Sequence, residues 1–283
     1  MKLNRCTFWG WKEVFAGLSG LDAAVYAFIG LIGSFCSGML GVGGAIVTYP
    51  LLYFVPPIAG AYAMSPIEIS SATMLQVFAS TGIGMVMYRK SPWLSRYVIL
   101  VIGGGMLGGS LLGSLLSGYL PGSVIHITYG LMALMAVFLL FRREKGELHE
   151  ELPTVIQLHL PLAISLSAAV GTLSGIVGAG GSFLLIPVMI RFLKLPIRTA
   201  IASSLTIVFL SSIGGVIGKL SVGHIRYDLT LLLVLVSLLG SMIGAKVGQR
   251  MNTQLLRVAL AVIILIAAAN IWGEMVWNLY ATI

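Results

Sequence analysis

The sequence predicts an all-α fold, a polytopic transmembrane helical bundle of two homologous repeats with broken helices, and three observations carry that reading. Of 283 residues, 58% are hydrophobic and 9% are charged, whereas an average soluble domain carries roughly 25% charged residues. Several apolar stretches exceed the ~20 residues a helix needs to cross a hydrocarbon core, and the ~10-residue alternating segments of a transmembrane barrel are absent. The order of these stretches then recurs in the second half of the chain, down to individual residues.

The elements follow in order. Met1 to Phe15 carries Lys2, Arg5 and Lys12 with Trp9 and Trp11 and no small-residue cleavage pattern, so residues 1–20 read as a retained interfacial segment. The first repeat, residues 21–141, holds apolar segments from Leu21 to Pro56, Ile67 to Tyr88, Tyr97 to Ser117 and Ser123 to Phe141. A charged linker over 142–159 contains Arg142, Arg143, Glu144, Lys145, Glu147, Glu150 and Glu151. The second repeat, 160–283, holds Leu160 to Leu193, Ile197 to Gly218, Leu229 to Val247 and Leu255 to Trp272.

The repetition is visible residue by residue. SGMLGVGGAIVTYP from Ser37 matches SGIVGAGGSFLLIP from Ser174, with the serine, the glycines and the closing proline at one constant offset. ATMLQVFASTGIG from Ala72 resembles ASSLTIVFLSSIG from Ala202, and GSLLG from Gly109 resembles GSMIG from Gly240. The first segment of each half, about 34 residues, would make a straight helix of roughly 50 Å, too long for a ~30 Å core. A break is therefore required, and the glycines stand where it belongs, followed by Pro50 and Pro187. Each half is expected to contain a helix, an unwound Gly-rich turn and a short half-helix. For Gly103 to Gly109 and for Gly240 and Gly244 the expectation is close helix packing.

Charge placement leaves topology open. With four crossings per half and a cytoplasmic N-terminus, the first half obeys the positive-inside rule, since the N-terminal arm, Arg89, Lys90 and Arg96, and the linker with Arg142, Arg143 and Lys145 all fall inside. The second half then breaks it, with Arg191, Lys194, Arg198, Lys246, Arg250 and Arg257 outside and only Lys219 and Arg226 inside. Inverting the second repeat removes the conflict but needs an odd number of crossings in the first unit, which a broken helix counted as two passes supplies. The flip in charge asymmetry at the duplication favours inverted repeats. The formal net charge of +8 comes from 17 Lys and Arg scattered through short loops, a pattern of topology and lipid contact that gives no sign of nucleic-acid binding.

Irregular backbone at membrane depth survives only where protein buries it or it lines a wet cavity. Two matched breaks therefore point to one central site, where N–H groups at the start of a half-helix attract an anion. The substrate-binding candidates are Ser37, Gly41, Gly43 and Gly44 in the first motif and Ser174, Gly178, Gly180, Gly181 and Ser182 in the second. Thr73, Gln76, Ser203, Ser204 and Thr206 join them from the second segment of each repeat; the ordinary alternative for these side chains is interhelical hydrogen bonding. None of the nine acidic residues stands mid-span, and Glu68, at a segment start, is the coupling candidate. Lys219, Lys246 and Arg198, near segment ends, are expected to snorkel to the interface. His126 and His224 stand alone near loops, Cys36 reads as a packing residue, and Trp93, Trp272 and Trp277 fit an aromatic belt. No nucleophile and base pair, metal-ligand cluster or cofactor motif occurs, so neither an enzyme nor a cofactor is expected.

The pattern Ser-Gly-x-x-Gly-x-Gly-Gly followed by apolar residues and proline, present twice, resembles the TauE/SafE family of sulfite and organosulfonate exporters over nearly the whole chain. The resemblance implies a multi-pass protein of the cytoplasmic membrane that moves small sulfur-containing anions, such as sulfite, an organosulfonate or thiosulfate, by secondary transport with alternating access. A proton or another ion would couple the movement, and a passive anion channel is the alternative. Ala45 and Ser182 depart from the family, which often continues with glycine there, so the two half-sites need not be equivalent.

Overall fold

The computed structural model describes residues 19–141 except 42, residues 159–252 except 194 and 196, and separate helical positions between 255 and 273. The interfacial segment and the charged linker lie outside the described residues. The described part is all-helical. We number the helices α1 (Gly20–Leu40), α2 (Ala45–Ala59), α3 (Pro66–Tyr88), α4 (Arg96–Leu116), α5 (Gly122–Phe141), α6 (Leu160–Val177), α7 (Ser182–Arg191), α8 (Ile197–Val222) and α9 (Tyr227–Arg250). A single 3-10 turn, Ser117–Tyr119, follows α4. Seven of these helices are long and apolar enough to span a membrane; α2 and α7, the half-helices after the breaks, are shorter.

Local chemistry sets the ends. Ser19 accepts from the Asp22 N–H at 3.0 Å to cap α1. Ser65 and Glu68 form a reciprocal capping box at the start of α3, with Pro66 at its first position. Pro50 lies inside α2 and has no N–H to give the carbonyl of Ile46, one turn earlier. Tyr129 of α5 supplies the missing donor: its hydroxyl reaches the Ile46 carbonyl oxygen at 2.7 Å, and its ring stacks on Tyr49 with centroids 4.6 Å apart.

The first apolar segment of each half doubles back instead of crossing. Just beyond α2, Tyr62 donates its N–H to Asp22 Oδ1 at 2.8 Å and accepts from the Tyr26 hydroxyl at 2.7 Å, so α2 returns to the end of the bundle where α1 began. We call this the Asp22 end. From there α3 runs to the opposite, Lys90 end, α4 returns, and α5 starts beside Pro66, which a side chain on Gly122 would meet at 3.1 Å. In the second half α6 runs parallel to α4, because a side chain on Gly105 would meet Ile164 and one on Gly113 would meet Thr172. It therefore begins at the Lys90 end. Its partner α7 returns there, since α8 starts at that end, where the Ser95 N–H donates to Ser203 Oγ at 3.4 Å. Finally α9 climbs from Arg226, whose guanidinium lies 4.2 Å from the Tyr62 ring centroid at the Asp22 end, to Gln249, which donates to the Met87 carbonyl at 3.1 Å.

The expected helix, Gly-rich turn and short half-helix are present in each half, and the number of crossings that the sequence left open follows from the pair folding as a hairpin. A hairpin with glycines at its bend lets the long apolar segment stay within the bundle without a 50 Å helix. The expected glycine packing is present at Gly103, Gly105, Gly109, Gly240 and Gly244, whereas nothing lies within 4 Å of a side chain added at Gly104 or Gly108. Gly38, Gly240, Gly244 and Gly248 join α1 to α9, and Gly105, Gly109, Gly113, Gly171 and Gly175 join α4 to α6, at approaches where added side chains would collide with opposing backbone or side-chain atoms. At the centre α3 crosses α8, with Phe78 and Phe209 stacked at 5.1 Å.

Candidate functional site

Both Gly-rich motifs adopt the same backbone. Gly41, Gly43 and Gly44 have φ of 72°, 65° and 76°, and Gly178, Gly180 and Gly181 have 80°, 64° and 75°. Left-handed values at three positions of a four-residue turn explain why glycine fills them. Each preceding helix closes alike: the Gly41 N–H donates to the Ser37 carbonyl at 2.9 Å, and the Gly178 N–H to the Ser174 carbonyl at 2.8 Å. Each following helix opens on a glycine N-cap, Gly44 or Gly181, without a side-chain cap bond. The N-cap residues themselves therefore offer no side chain to the helix dipole and the opening N–H groups.

The two turns rest against the same pair of helices. A side chain on Gly41 would meet Ser204 Oγ and the Ile201 carbonyl on α8, while Ser37 Oγ lies 3.2 Å from Ser80 Oγ on α3. A side chain on Gly180 would meet Val77 of α3 at 2.7 Å and Val208 of α8 at 2.9 Å, near the middle of both helices. Ser204 donates to the Gly41 carbonyl at 2.9 Å, and Ser70 donates to the Ile176 carbonyl at 3.0 Å, so each turn is fastened to the crossing helix of the other half.

The sequence-chosen residues divide. Ser37, Ser174 and Ser204 are fully buried at the turns, and Ser174 also donates to the Gly171 carbonyl at 2.9 Å. Gln76 is buried, donates to the Gly30 carbonyl at 3.2 Å and leaves its Oε1 without a hydrogen-bond partner. Thr73 turns back on its own helix, donating to the Ile69 carbonyl at 2.8 Å, and Ser203 accepts from Ser95 away from the turns. Thr206 is half-buried. Ser182 opens α7, but its side chain lies outside what is described. Glu68 is spent on the α3 cap.

Several participants were not singled out from sequence. Ser70 and Ser80 fasten the turns, and Thr48 donates to the Gly44 carbonyl at 3.1 Å. Ser80 lay within the recognised duplication, which was the available signal. His126 packs edge-on against Tyr53 at 4.4 Å between centroids, so it belongs to an aromatic cluster and does not stand alone. The expectation for Lys219 is reversed: the side chain is fully buried and donates to Ser117 Oγ at 2.7 Å and to the Ile176 carbonyl at 3.3 Å. A lysine in an apolar helix looks identical in sequence whether it snorkels outward or points inward.

A cavity of about 320 Å³ opens at the Lys90 end, lined by Lys90, Ser91, Trp93, Ile201, Ala202 and Gln249. Ile201, one of its lining residues, also has its carbonyl 2.9 Å from where a side chain on Gly41 would sit.

A family model described as sulfite exporter TauE/SafE matches residues 26–271. The probable membrane transporter protein YunE of Bacillus subtilis (strain 168) is 25% identical over 232 residues, covering 76% of this chain and 84% of that protein. The probable membrane transporter protein YdhB of the same organism is 30% identical over 203 residues, 68% of this chain and 76% of that one. A probable membrane transporter protein of Xylella fastidiosa (strain 9a5c) is 28% identical over 207 residues, 71% and 72% respectively. No solved structure matches.

Proposed function

The chain belongs to the sulfite exporter TauE/SafE family of multi-pass membrane transporters, and on that premise we propose that it is a secondary transporter of a small sulfur-containing oxyanion working by alternating access. The observation that carries the reading is the pair of matched turns, each opening a half-helix on a glycine N-cap and each resting on both α3 and α8. Half-helix N-termini inside a membrane protein suit an anion, since backbone donors and the dipole supply attraction without a fixed side-chain charge. Gly43, Gly44, Gly180 and Gly181 are the donors in this reading, with Ser37 and Ser174 shaping selectivity.

The halves act as inverted repeats. Supporting this, α1 starts at the Asp22 end and α6 at the Lys90 end, and α1 packs on α9 as α6 packs on α4. The Lys90 end is cytoplasmic: among the described residues it gathers Arg89, Lys90, Arg96, Lys246 and Arg250, whereas the Asp22 end has Arg226 beside Asp22, Glu68 and Asp228. In this reading the doubling back of the two long segments puts the described basic loops of both halves at one end, while α1 begins at the opposite, Asp22 end.

The test is uptake into proteoliposomes of sulfite, thiosulfate, sulfoacetate and taurine against sulfate, nitrate and formate, with and without a proton gradient. Saturable flux of a sulfur anion, raised by the gradient, is the expected result. Flux that rises linearly with every anion would make the protein a channel, and movement of none of the sulfur compounds would end the substrate assignment.

A further inference from the structure

A buried ammonium group without a carboxylate is unusual, because removing the charge from water costs several kcal/mol unless a counter-charge and hydrogen bonds replace the solvent. Lys219 is in that position: its side chain is fully buried within the bundle. The three acidic residues among those described are engaged elsewhere, Asp22 by the Tyr62 N–H, Glu68 by Ser65 and Asp228 by Arg226 at 2.9 Å. An ammonium has three donors. Two are directed at Ser117 Oγ and the Ile176 carbonyl, leaving one for a further ligand. Ile176 stands two residues before the positive-φ Gly178, so the ammonium is fixed beside the second turn.

A second observation extends the site inward. On the α4 face that meets α8, Ser110, Ser114 and Ser117 are all fully buried. A side chain added at Gly218 of α8 would run into Ser114, and one at Gly215 would meet the end of the Met74 side chain of α3 and, at 2.9 Å, Ser110 Oγ, so α4 approaches the α8 backbone closely here and Met74 packs beside Ser110. The Ser110 hydroxyl has no hydrogen-bond partner. A buried hydroxyl that the protein itself does not pair is a position for a ligand to fill. From Ser110 to Ser117 the helix rises by roughly 10 Å, so the serines form a polar track from mid-helix to the ammonium.

We propose that Lys219 is the counter-charge for the translocated oxyanion, and that the Ser117, Ser114 and Ser110 hydroxyls carry that anion between the ammonium beside the second turn and the middle of the bundle. This rests on the transporter reading and adds the residue that compensates the charge. At Lys219 the anion takes the third N–H; at Ser110 it accepts the hydroxyl for which the bundle supplies no acceptor.

The test combines thermal unfolding of detergent-purified protein in sulfite, thiosulfate, sulfate, nitrate and phosphate with flux in proteoliposomes, for wild type, Lys219→Met, Lys219→Arg and Ser110→Ala. An oxyanion that stabilises the wild type should no longer stabilise Lys219→Met, its flux should fall at least tenfold there, and Lys219→Arg should retain part of both. Ser110→Ala should unfold at or above the wild-type temperature without anion and show a severalfold higher KM. That combination does not follow from a purely structural role, and it remains informative if Lys219→Met fails to fold. Wild-type flux and anion stabilisation in both Lys219→Met and Ser110→Ala would overturn the inference while leaving the transporter reading intact. Stabilisation of the wild type by no oxyanion would also overturn it. Lys219-dependent stabilisation by a non-sulfur oxyanion, with no sulfur-anion flux, would uphold the inference and end the sulfur assignment.

Discussion

The hydroxyl of Tyr129 meets the carbonyl oxygen of Ile46 at 2.7 Å, and Ile46 is the residue whose carbonyl Pro50 deprives of its helical donor. A proline in the half-helix after the first turn is therefore compensated by a tyrosine from α5, fixing the half-helix against the bundle where solvent cannot serve the free carbonyl.

Tyr129→Phe keeps the stacked ring and removes that donor. The buried carbonyl is left unpaired, at a cost of about 1–3 kcal/mol. A lowered unfolding temperature in detergent is expected, with protein still inserted; an unchanged temperature would show that another donor takes over.

The turns are tied across the two halves by Ser204 to Gly41 and Ser70 to Ile176. Ser204→Ala and Ser70→Ala should each destabilise by about 1 kcal/mol. The double variant should show the sum, because the two bonds fasten different turns. A double-variant cycle in thermal or denaturant unfolding checks this.

Gly44→Val and Gly181→Val place β-branched side chains at φ of 76° and 75°, with the Gly33 carbonyl oxygen and Met106 Cε each 2.6 Å from the new Cβ. The left-handed backbone alone costs an L-residue roughly 1–2 kcal/mol. Transport should be abolished in protein that still reaches the membrane. Gly60→Asn is the control: φ is 74° but nothing lies within 4 Å of an added side chain, so stability should change little. Normal flux in either valine variant would remove the turns from the mechanism.

The orientation is tested by cysteine labelling in a Cys6→Ser, Cys36→Ser background. Ser91→Cys, at the Lys90 end, should react with a membrane-impermeant reagent only from the cytoplasmic side, and Gly223→Cys, in the turn beyond α8, only from the opposite side. Labelling of both from one face would exclude an α8 that crosses from the Lys90 end to the Asp22 end and an α9 that returns.

Much of the site was legible because glycine reports on backbone. Gly41, Gly43, Gly44 and their counterparts Gly178, Gly180 and Gly181 are left-handed where the duplicated spacing placed the breaks. Side-chain roles were legible only in part. Thr73 and Ser203 occupy equivalent places in the duplicated segments, yet Thr73 bonds its own helix and Ser203 accepts from the Ser95 N–H. The neighbouring helix decides between these outcomes, and a period of 3.6 residues does not specify which neighbour a position meets when every face is apolar.

By itself the sequence determined that the chain is a membrane-spanning helical protein, that its two halves share a motif, and that each long apolar segment must break at its glycines. Those conclusions follow from composition, length and the conformational range of single residues, all local properties. Only the tertiary structure decided that each broken segment doubles back, that Tyr129 serves the carbonyl freed by Pro50, and that Lys219 points into the bundle. These depend on which helix lies beside which, and such contacts join residues as distant as Gly41 and Ser204, whose proximity no local pattern encodes.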